Sequence, residues 1–379
     1  MKIVYFTHYT DLYGANKSLI EIVTNMSKKG VNPVVISPGF GELNKELNKL
    51  NIENYCFDYE CWVKSTKSTF IKNILLYVRF NIKNVIAIKK INKLINRLDV
   101  DLIHSNSSVI NIGAIIAKKQ KLPHIWHIRE FGKEDYNIEF YKSRNKAIKF
   151  ILDNSSQVIC ISNSIKQSYF KNMDDKKINV IYNAVETDFK ENKCIKNEGR
   201  MNIIFVGNVM ENKNQMEAIK ALNSLDSNIL EHVHLDIVGS GDEIYINKLK
   251  DYINKNKLVK NVNFLGHIKN VSDIYQNYEI GIISSVKEGF GRVTIEYMSN
   301  GIIPIASNTG ANVEIVKNNE NGFIYELGNH LELAKIITLL YNDKKLRIDM
   351  NKISKKYVRD NFSIERLISE LLEIYTKLT

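Results

Sequence analysis

No stretch of this chain approaches the roughly 18 to 20 consecutive apolar residues that a helix needs to cross a bilayer, which sets aside an integral membrane protein. The opening residues, Met1-Lys2-Ile3-Val4-Tyr5-Phe6-Thr7-His8, hold too short an apolar stretch for a secretory leader and have no small-residue cleavage site behind them. They are expected to form a first, buried strand. Cysteine is scarce. Cys56, Cys61, Cys160 and Cys194 show no Cys-x-x-Cys spacing and no companion histidine cluster, which argues against a zinc site and a disulfide framework. A cytoplasmic setting is therefore expected. Low-complexity sequence is missing too, and 44% hydrophobic with 25% charged residues is the make-up of a folded chain without a long disordered tract.

Acidic residues are absent from one place in particular. Between Lys64 and Arg97 the cations Lys67, Lys72, Arg79, Lys83, Lys89, Lys90 and Lys93 meet no Asp or Glu. Phe70, Ile71, Leu75, Leu76, Val78, Phe80, Ile82, Val85, Ile86, Ile88, Ile91, Leu94 and Ile95 share the stretch, and the pattern predicts a long helix with one core-facing side and one basic side. Such a basic side is either a solvated face or a site for an anionic leaflet, which would place the protein at the inner face of the cell membrane. The net charge of +11 and pI near 9.1 favour anionic partners in general. Nucleic acid is not expected among them, because the basic residues do not alternate with aromatics and no nucleic-acid motif appears.

What the sequence does contain is a repeated alternation of apolar strands and helical segments. A chain of 379 residues suits two domains. Strands are predicted at Ile3 to Thr7, Asn32 to Ser37, Asn54 to Phe57, Asp101 to Ser105, His124 to Ile128, Gln157 to Ser162 and Asn179 to Tyr182. A polar stretch from Asp188 to Arg200 interrupts the rhythm and reads as a linker. Strands resume at Asn202 to Gly207, His234 to Gly239, Asn261 to Gly266, Ile280 to Ser285, Ile302 to Ser307 and Gly322 to Tyr325. The expected fold is α/β, with two facing Rossmann-like domains at 1–190 and 200–360, a cleft between them, and a last helix at 361–379 packing back across the hinge.

The segment Glu288-Gly289-Phe290-Gly291-Arg292-Val293-Thr294-Ile295-Glu296 is the most informative in the chain. It follows an apolar strand and sets two carboxylates around a glycine-flanked turn that enters a helix stopped at Gly301 and Pro304. In an open α/β sheet ligands bind at that end of the strands, and backbone N–H groups near Gly289 to Arg292 can receive phosphate oxygens. Two other glycine segments are weaker. Gly239-Ser240-Gly241 lacks the third glycine of a dinucleotide fingerprint, and Gly14-Ala15-Asn16-Lys17-Ser18 lacks the upstream glycine of a phosphate loop, so it reads as a helix-entry turn. Asp99-Val100-Asp101 opens a strand rather than offering a metal site.

Taken in order, these motifs resemble the retaining glycosyltransferases of family 4, whose two-Rossmann architecture is called GT-B. The resemblance rests on Phe205-Val206-Gly207 followed by Lys213, Gly239-Ser240-Gly241-Asp242, Phe264-Leu265-Gly266, the Glu288 to Glu296 segment, Gly301-Ile302-Ile303-Pro304, and Gly310 with Glu314 and Asn321-Gly322. In the first half it rests on Gly14, Trp126-His127-Ile128-Arg129-Glu130, Cys160-Ile161-Ser162 and Val180-Ile181-Tyr182-Asn183-Ala184-Val185.

The resemblance implies a nucleotide diphosphate sugar, UDP-linked by expectation, held mostly by the second domain, and a glycan or lipid-linked glycan as acceptor. It assigns Glu296 to the ribose hydroxyls, Glu288 to the transferred sugar, and Lys213 to the diphosphate. Gly14, Asn183, Gly207, Asn208, Gly239, Gly289, Phe290, Gly291 and Arg292 complete the donor set, and His127 addresses the donor sugar. No cofactor and no metal are expected, and retention by front-face attack leaves no protein general base to name. Arg129 and Glu130 either bind acceptor or pair with each other. Family members usually carry Arg where this chain has Asn208, so leaving-group stabilisation is expected either to rest more on Lys213 and the glycine turn or to draw the missing cation from Arg292. The competing readings are a sugar-nucleotide epimerase or hydrolase of the same architecture, and a non-catalytic binder.

Overall fold

Short apolar strands that are buried on both faces need helices above and below them, and the alternation of the two produces parallel sheets. In the computed structural model, which describes residues 1–173, 175–185 and 200–379, this happens twice. The expected linker from Asp188 lies outside the described residues as far as residue 199. One unit comprises Met1–Ala184 together with Ile364–Thr379, and the other Val185–Ser363.

The strands of the first unit are β1 (Lys2–Phe6), β2 (Asn32–Ser37), β3 (Glu53–Cys56), β4 (Val63–Ser65), β5 (Leu102–Ser105), β6 (His124–Ile128), β7 (Ile138–Phe140), β8 (Gln157–Cys160) and β9 (Ile178–Val180). Seven of them form a parallel sheet in the order β3-β2-β1-β5-β6-β8-β9. The remaining two, β4 and β7, pair antiparallel with Val63 opposite Phe140. Sequence patterning does not find this small sheet, because three-residue strands are too short to display an alternation.

Alternate residues of the main sheet feed opposite layers. Ile3, Tyr5, Val35, Leu102, Ile125 and Ile159 pack beneath Leu19, Ile22 and Val23 of the helix Gly14–Lys28 and beneath Leu367, Ile368, Leu371 and Tyr375 of the terminal helix Ile364–Leu378. Val4, Phe6, Val34, Ile36 and Ile103 pack against Ala87, Ile88, Ile91 and Ile95 of the helix Phe70–Leu98. That long helix departs from expectation. Only its second half is seated on the sheet, and the apolar residues of its first turns face solvent: Phe70, Ile71, Leu75, Val78, Ile82, Val85 and Ile86 are all exposed. Its outer side is thus apolar first and basic afterwards, rather than basic throughout.

The second unit has β10 (Met201–Val206), β11 (Val233–Val238), β12 (Val262–Gly266), β13 (Ile280–Ile283), β14 (Ile303–Ser307) and β15 (Phe323–Tyr325) in one parallel sheet, ordered β12-β11-β10-β13-β14-β15. Ile203, Phe205, Leu235, Ile237, Ile280, Ile282 and Ile305 form one core layer, and Ile204, Val238, Ile283 and Ala306 meet Tyr275, Tyr278 and Tyr297 on the other face. Both sheets reverse strand order beside their first strand, as doubly wound dinucleotide-binding folds do, and the crevice at that reversal is where such folds bind ligands. In the second unit the reversal lies between β10 and β13.

Candidate functional site

The loops that leave β10 and β13 are locked together. Ser284, just past β13, donates its hydroxyl to the carbonyls of Lys213 and Asn214, and Val286 N–H donates to Asn212 O. Asn214 adopts a left-handed conformation to start the helix Gln215–Asn223, and Lys213 sits immediately before that turn. Its ammonium reaches Glu288 Oε2 at 2.8 Å. Burial alone would raise the Glu288 carboxyl, but Lys213, the Ser285 side chain and the Gly291 N–H hold it below the ordinary range, so it stays ionised at neutral pH.

Gly310 explains how Glu288 is presented. A Cβ at that left-handed position would stand 2.1 Å from Glu288 O and 2.5 Å from its N, and the neighbouring Ala311 N–H donates to the same carbonyl. The turn then closes at Gly291, left-handed and the cap of the helix Arg292–Ser299. Within that helix Arg292 Nε meets Glu296 Oε1 at 3.0 Å, and Tyr275 donates its hydroxyl to Oε2 at 3.0 Å. Burial and the nearby Glu296 charge keep the Tyr275 phenol protonated and therefore a donor. Phe290 is turned inward against Phe362, so its side chain anchors the turn and only its backbone remains for a ligand.

The glycines after β10 and β11 serve close approach. A Cβ on Gly239 would lie 2.0 Å from Gly207 O, and one on Gly241 2.0 Å from Val209 O. Asn208 is exposed beside them, its carbonyl held by Gln215. Gly207, Asn208, Lys213, Gly239, Gly289, Gly291, Arg292, Glu288 and Glu296 all follow the carboxyl ends of β10, β11 or β13. Two ion pairs, Lys213 with Glu288 and Arg292 with Glu296, lie at the carboxyl end of the central strands. Chemically, such a set offers cations able to meet phosphates and carboxylates able to accept from hydroxyls.

The residues expected in the first unit gather separately, around β6. His127 is fully buried. Its Nδ1 lies 3.2 Å from Arg129 Nη2 and 3.2 Å from His104 Nε2, while His104 Nδ1 lies 2.8 Å from the Tyr375 hydroxyl. A guanidinium can only donate, so His127 Nδ1 is an acceptor and His127 carries its proton on Nε2. His104 then donates from Nε2 and accepts from Tyr375. His127 Nε2 has no hydrogen-bond partner among the described residues. Burial first, then Arg129 and His104, push its pKa well below the usual histidine range, so the ring is neutral.

Arg129 also donates to Asn106 and to Asn183, at 2.8 and 2.7 Å. Burial lowers its pKa only to about 10, which leaves it cationic. Glu130 does not pair with it. Oε1 of Glu130 accepts from the Ser107 hydroxyl and from both the N–H and the hydroxyl of Ser108, and the residue is 5% exposed. Glu130 therefore holds the loop after β5 in place, and of the two alternatives for these residues, acceptor binding or mutual pairing, the pairing gives way to separate partners. Gly14 opens its helix on an exposed turn that Asn16 ties to Tyr9 and Asp11, and Asn106 donates to Ala15 O.

Sequence reasoning missed His104, Asn106, Tyr375, Ser284 and Tyr275. His104 offered one signal, a histidine inside the apolar strand Leu102–Ser105; Tyr375, 271 residues away, offered none.

Residues 13–189 match the family described as Glycosyltransferase Family 4, and residues 186–357 match the one described as Glycosyl transferases group 1. An uncharacterised glycosyltransferase of Methanocaldococcus jannaschii is 27% identical over 364 residues, covering 93% of this chain and 99% of that one. The UDP-Gal:alpha-D-GlcNAc-diphosphoundecaprenol alpha-1,3-galactosyltransferase of Escherichia coli is 26% identical over 326 residues, 81% of this chain and 82% of its own. Among solved structures, HepE of Anabaena in complex with UDP superimposes with a TM-score of 0.83 over all of both chains at 19% identity.

Proposed function

Because the chain belongs to glycosyltransferase family 4, we propose that it is a retaining, metal-independent transferase that moves a sugar from a UDP-linked donor to a hydroxyl of a growing, lipid-linked bacterial surface glycan. The observation that carries this reading is the Lys213–Glu288 pair at 2.8 Å, set where strand order reverses. The name of the E. coli relative, with a UDP-sugar donor and a diphosphoundecaprenol-linked acceptor, supports the choice of both substrates.

In this reading the bond between the anomeric carbon and the β-phosphate oxygen breaks while the acceptor oxygen bonds to the same face of that carbon. The acceptor proton passes to the departing phosphate. The growing negative charge on the diphosphate is the principal thing to be stabilised, and preorganised cations do this at low reorganisation cost. Lys213 and Arg292 serve as those cations, Arg292 standing in for the charge that Asn208 lacks. Glu296 accepts the ribose diol, and Glu288, held ionised by Lys213, accepts hydroxyls of the transferred sugar.

A release assay for free nucleoside diphosphate tests the reading, with the purified chain against UDP-, GDP- and ADP-sugars. One UDP-sugar is expected to turn over slowly without acceptor. Glu288→Gln and Lys213→Ala are expected to lower that rate by about 10²- to 10³-fold, the usual cost of removing one stabilising group from such a site. Unchanged rates in both variants, or no binding of any donor by calorimetry, would overturn it.

A further inference from the structure

The helix Phe70–Leu98 carries a surface that the transfer reaction does not use. Ile71, Ile74, Leu75, Val78, Ile82 and Val85 recur at spacings of three and four residues, so they form one stripe along the helix. All six are exposed, Ile71 at 72% and Leu75 at 65%. A buried stripe at this spacing would be ordinary; an exposed one of this length marks an interaction site.

After Ile86 the same line continues as Lys89 and Lys93, with Lys72, Lys90 and Arg97 along one flank. These five cations form no ion pair among the described residues, whereas Arg79 and Lys83 are neutralised locally by Glu60 and Asp58. The helix has no acidic residue.

We propose that this helix lies in the interface of an anionic phospholipid bilayer, its first four turns among the acyl chains and its lysines at the headgroups. Charge sign decides between this partner and a second copy of the chain. Two copies joined along the apolar stripe would bring uncompensated lysines together with no carboxylate to answer them, while an anionic leaflet supplies the opposite charge. No helix among the described residues is long and apolar enough to span the bilayer, so the contact is one of lying in the surface. The inference stands apart from the donor reading, since it is tested without substrate.

The test is co-sedimentation of the full chain with vesicles of phosphatidylcholine alone or mixed with phosphatidylglycerol. Binding is expected only to the mixed vesicles. The triple variant Lys89→Gln, Lys90→Gln, Lys93→Gln is expected to lower partitioning by about tenfold or more, and the triple variant Ile71→Ser, Leu75→Ser, Val78→Ser to abolish it, with melting temperature unchanged in both. Leu75→Trp, a reporter on the stripe, is expected to shift its emission to the blue on mixed vesicles. Equal binding to neutral vesicles, insensitivity to either triple variant, or a dimer dissolved by the serine variant with no vesicle binding would each overturn the proposal.

Discussion

At the scale of single residues, the direction of a hydrogen bond can be decided by its least versatile member. Arg129 has no acceptor, and that fact propagates through His127 and His104 to Tyr375, giving every atom in the chain a fixed role. The expected outcome is that ¹⁵N-edited NMR shows His127 as the neutral Nε2–H tautomer, without protonation between about pH 8 and pH 6, since burial and Arg129 hold its pKa well below the usual about 6.5. In Tyr375→Phe the His104 Nδ1 loses its donor while its Nε2 proton stays committed to His127, so the Nδ1 resonance is expected to move while the tautomer and the fold persist. Unmoved His104 resonances in that variant would contradict the assigned chain. Glu288 and His127 could be singled out from the sequence because each sits in a recognisable local pattern. His104 and Tyr375 were not, because nothing along the chain links a strand residue to a helix 271 positions later.

At the scale of elements, the site depends on turns that hold side chains at strand ends. The Glu288 turn is fixed from outside its own segment, by the Ala311 N–H that donates to the Glu288 carbonyl and by Gly310, packed against the same backbone. Gly310→Ala is therefore expected to destabilise the second unit by about 1 to 3 kcal/mol, from left-handed backbone strain and a Cβ that enters the Glu288 carbonyl. The same variant is expected to weaken donor binding, because Glu288 must shift. Thermal melts with and without the UDP-sugar donor check both halves, and an unaltered melt would show that the backbone yields more easily than the packing implies. The strand-to-helix turn was readable in advance from Gly289, Gly291 and the apolar run before them. The long helix was readable in extent but not in orientation: its periodicity fits a core-facing stripe, and only the packing of its second half on the sheet shows that the stripe of its first turns stays in solvent.

At the scale of the whole molecule, two units with separate cores respond to ligand and acid in their own ways. UDP at about one hundred times its dissociation constant is expected to stabilise the second unit by about 2.7 kcal/mol and to leave the first unmoved. Acid separates them further. In the first unit His104, His124 and His127 are buried with pKa values lowered by that burial. As pH falls through about 6.5 the unfolded chain takes up protons that these rings refuse, so this unit loses about 1 kcal/mol per histidine between pH 6.5 and 5.5. In the second unit burial raises Glu279 to about 7, against the opposing pull of Arg347 and Lys344. Its folded state binds the proton first, so its contribution is present at low pH and is lost as pH rises through about 7. Calorimetry from pH 7.5 to 5.5 is expected to show the first unit's transition falling relative to the second's; a parallel shift of both would contradict it. The sequence by itself determined the two parallel sheets, their strands to within a residue or two, the family, and the carboxylate turn, because strand burial and glycine turns are local properties written in consecutive residues. Tertiary structure alone decided that Glu288 is clamped by Lys213, that Glu130 serves the Ser107-Ser108 loop, that the terminal helix completes the first core, and that the apolar stripe of the long helix stays outside. Each of these depends on which distant backbone passes within a few ångströms, and periodicity along a chain carries no record of that distance.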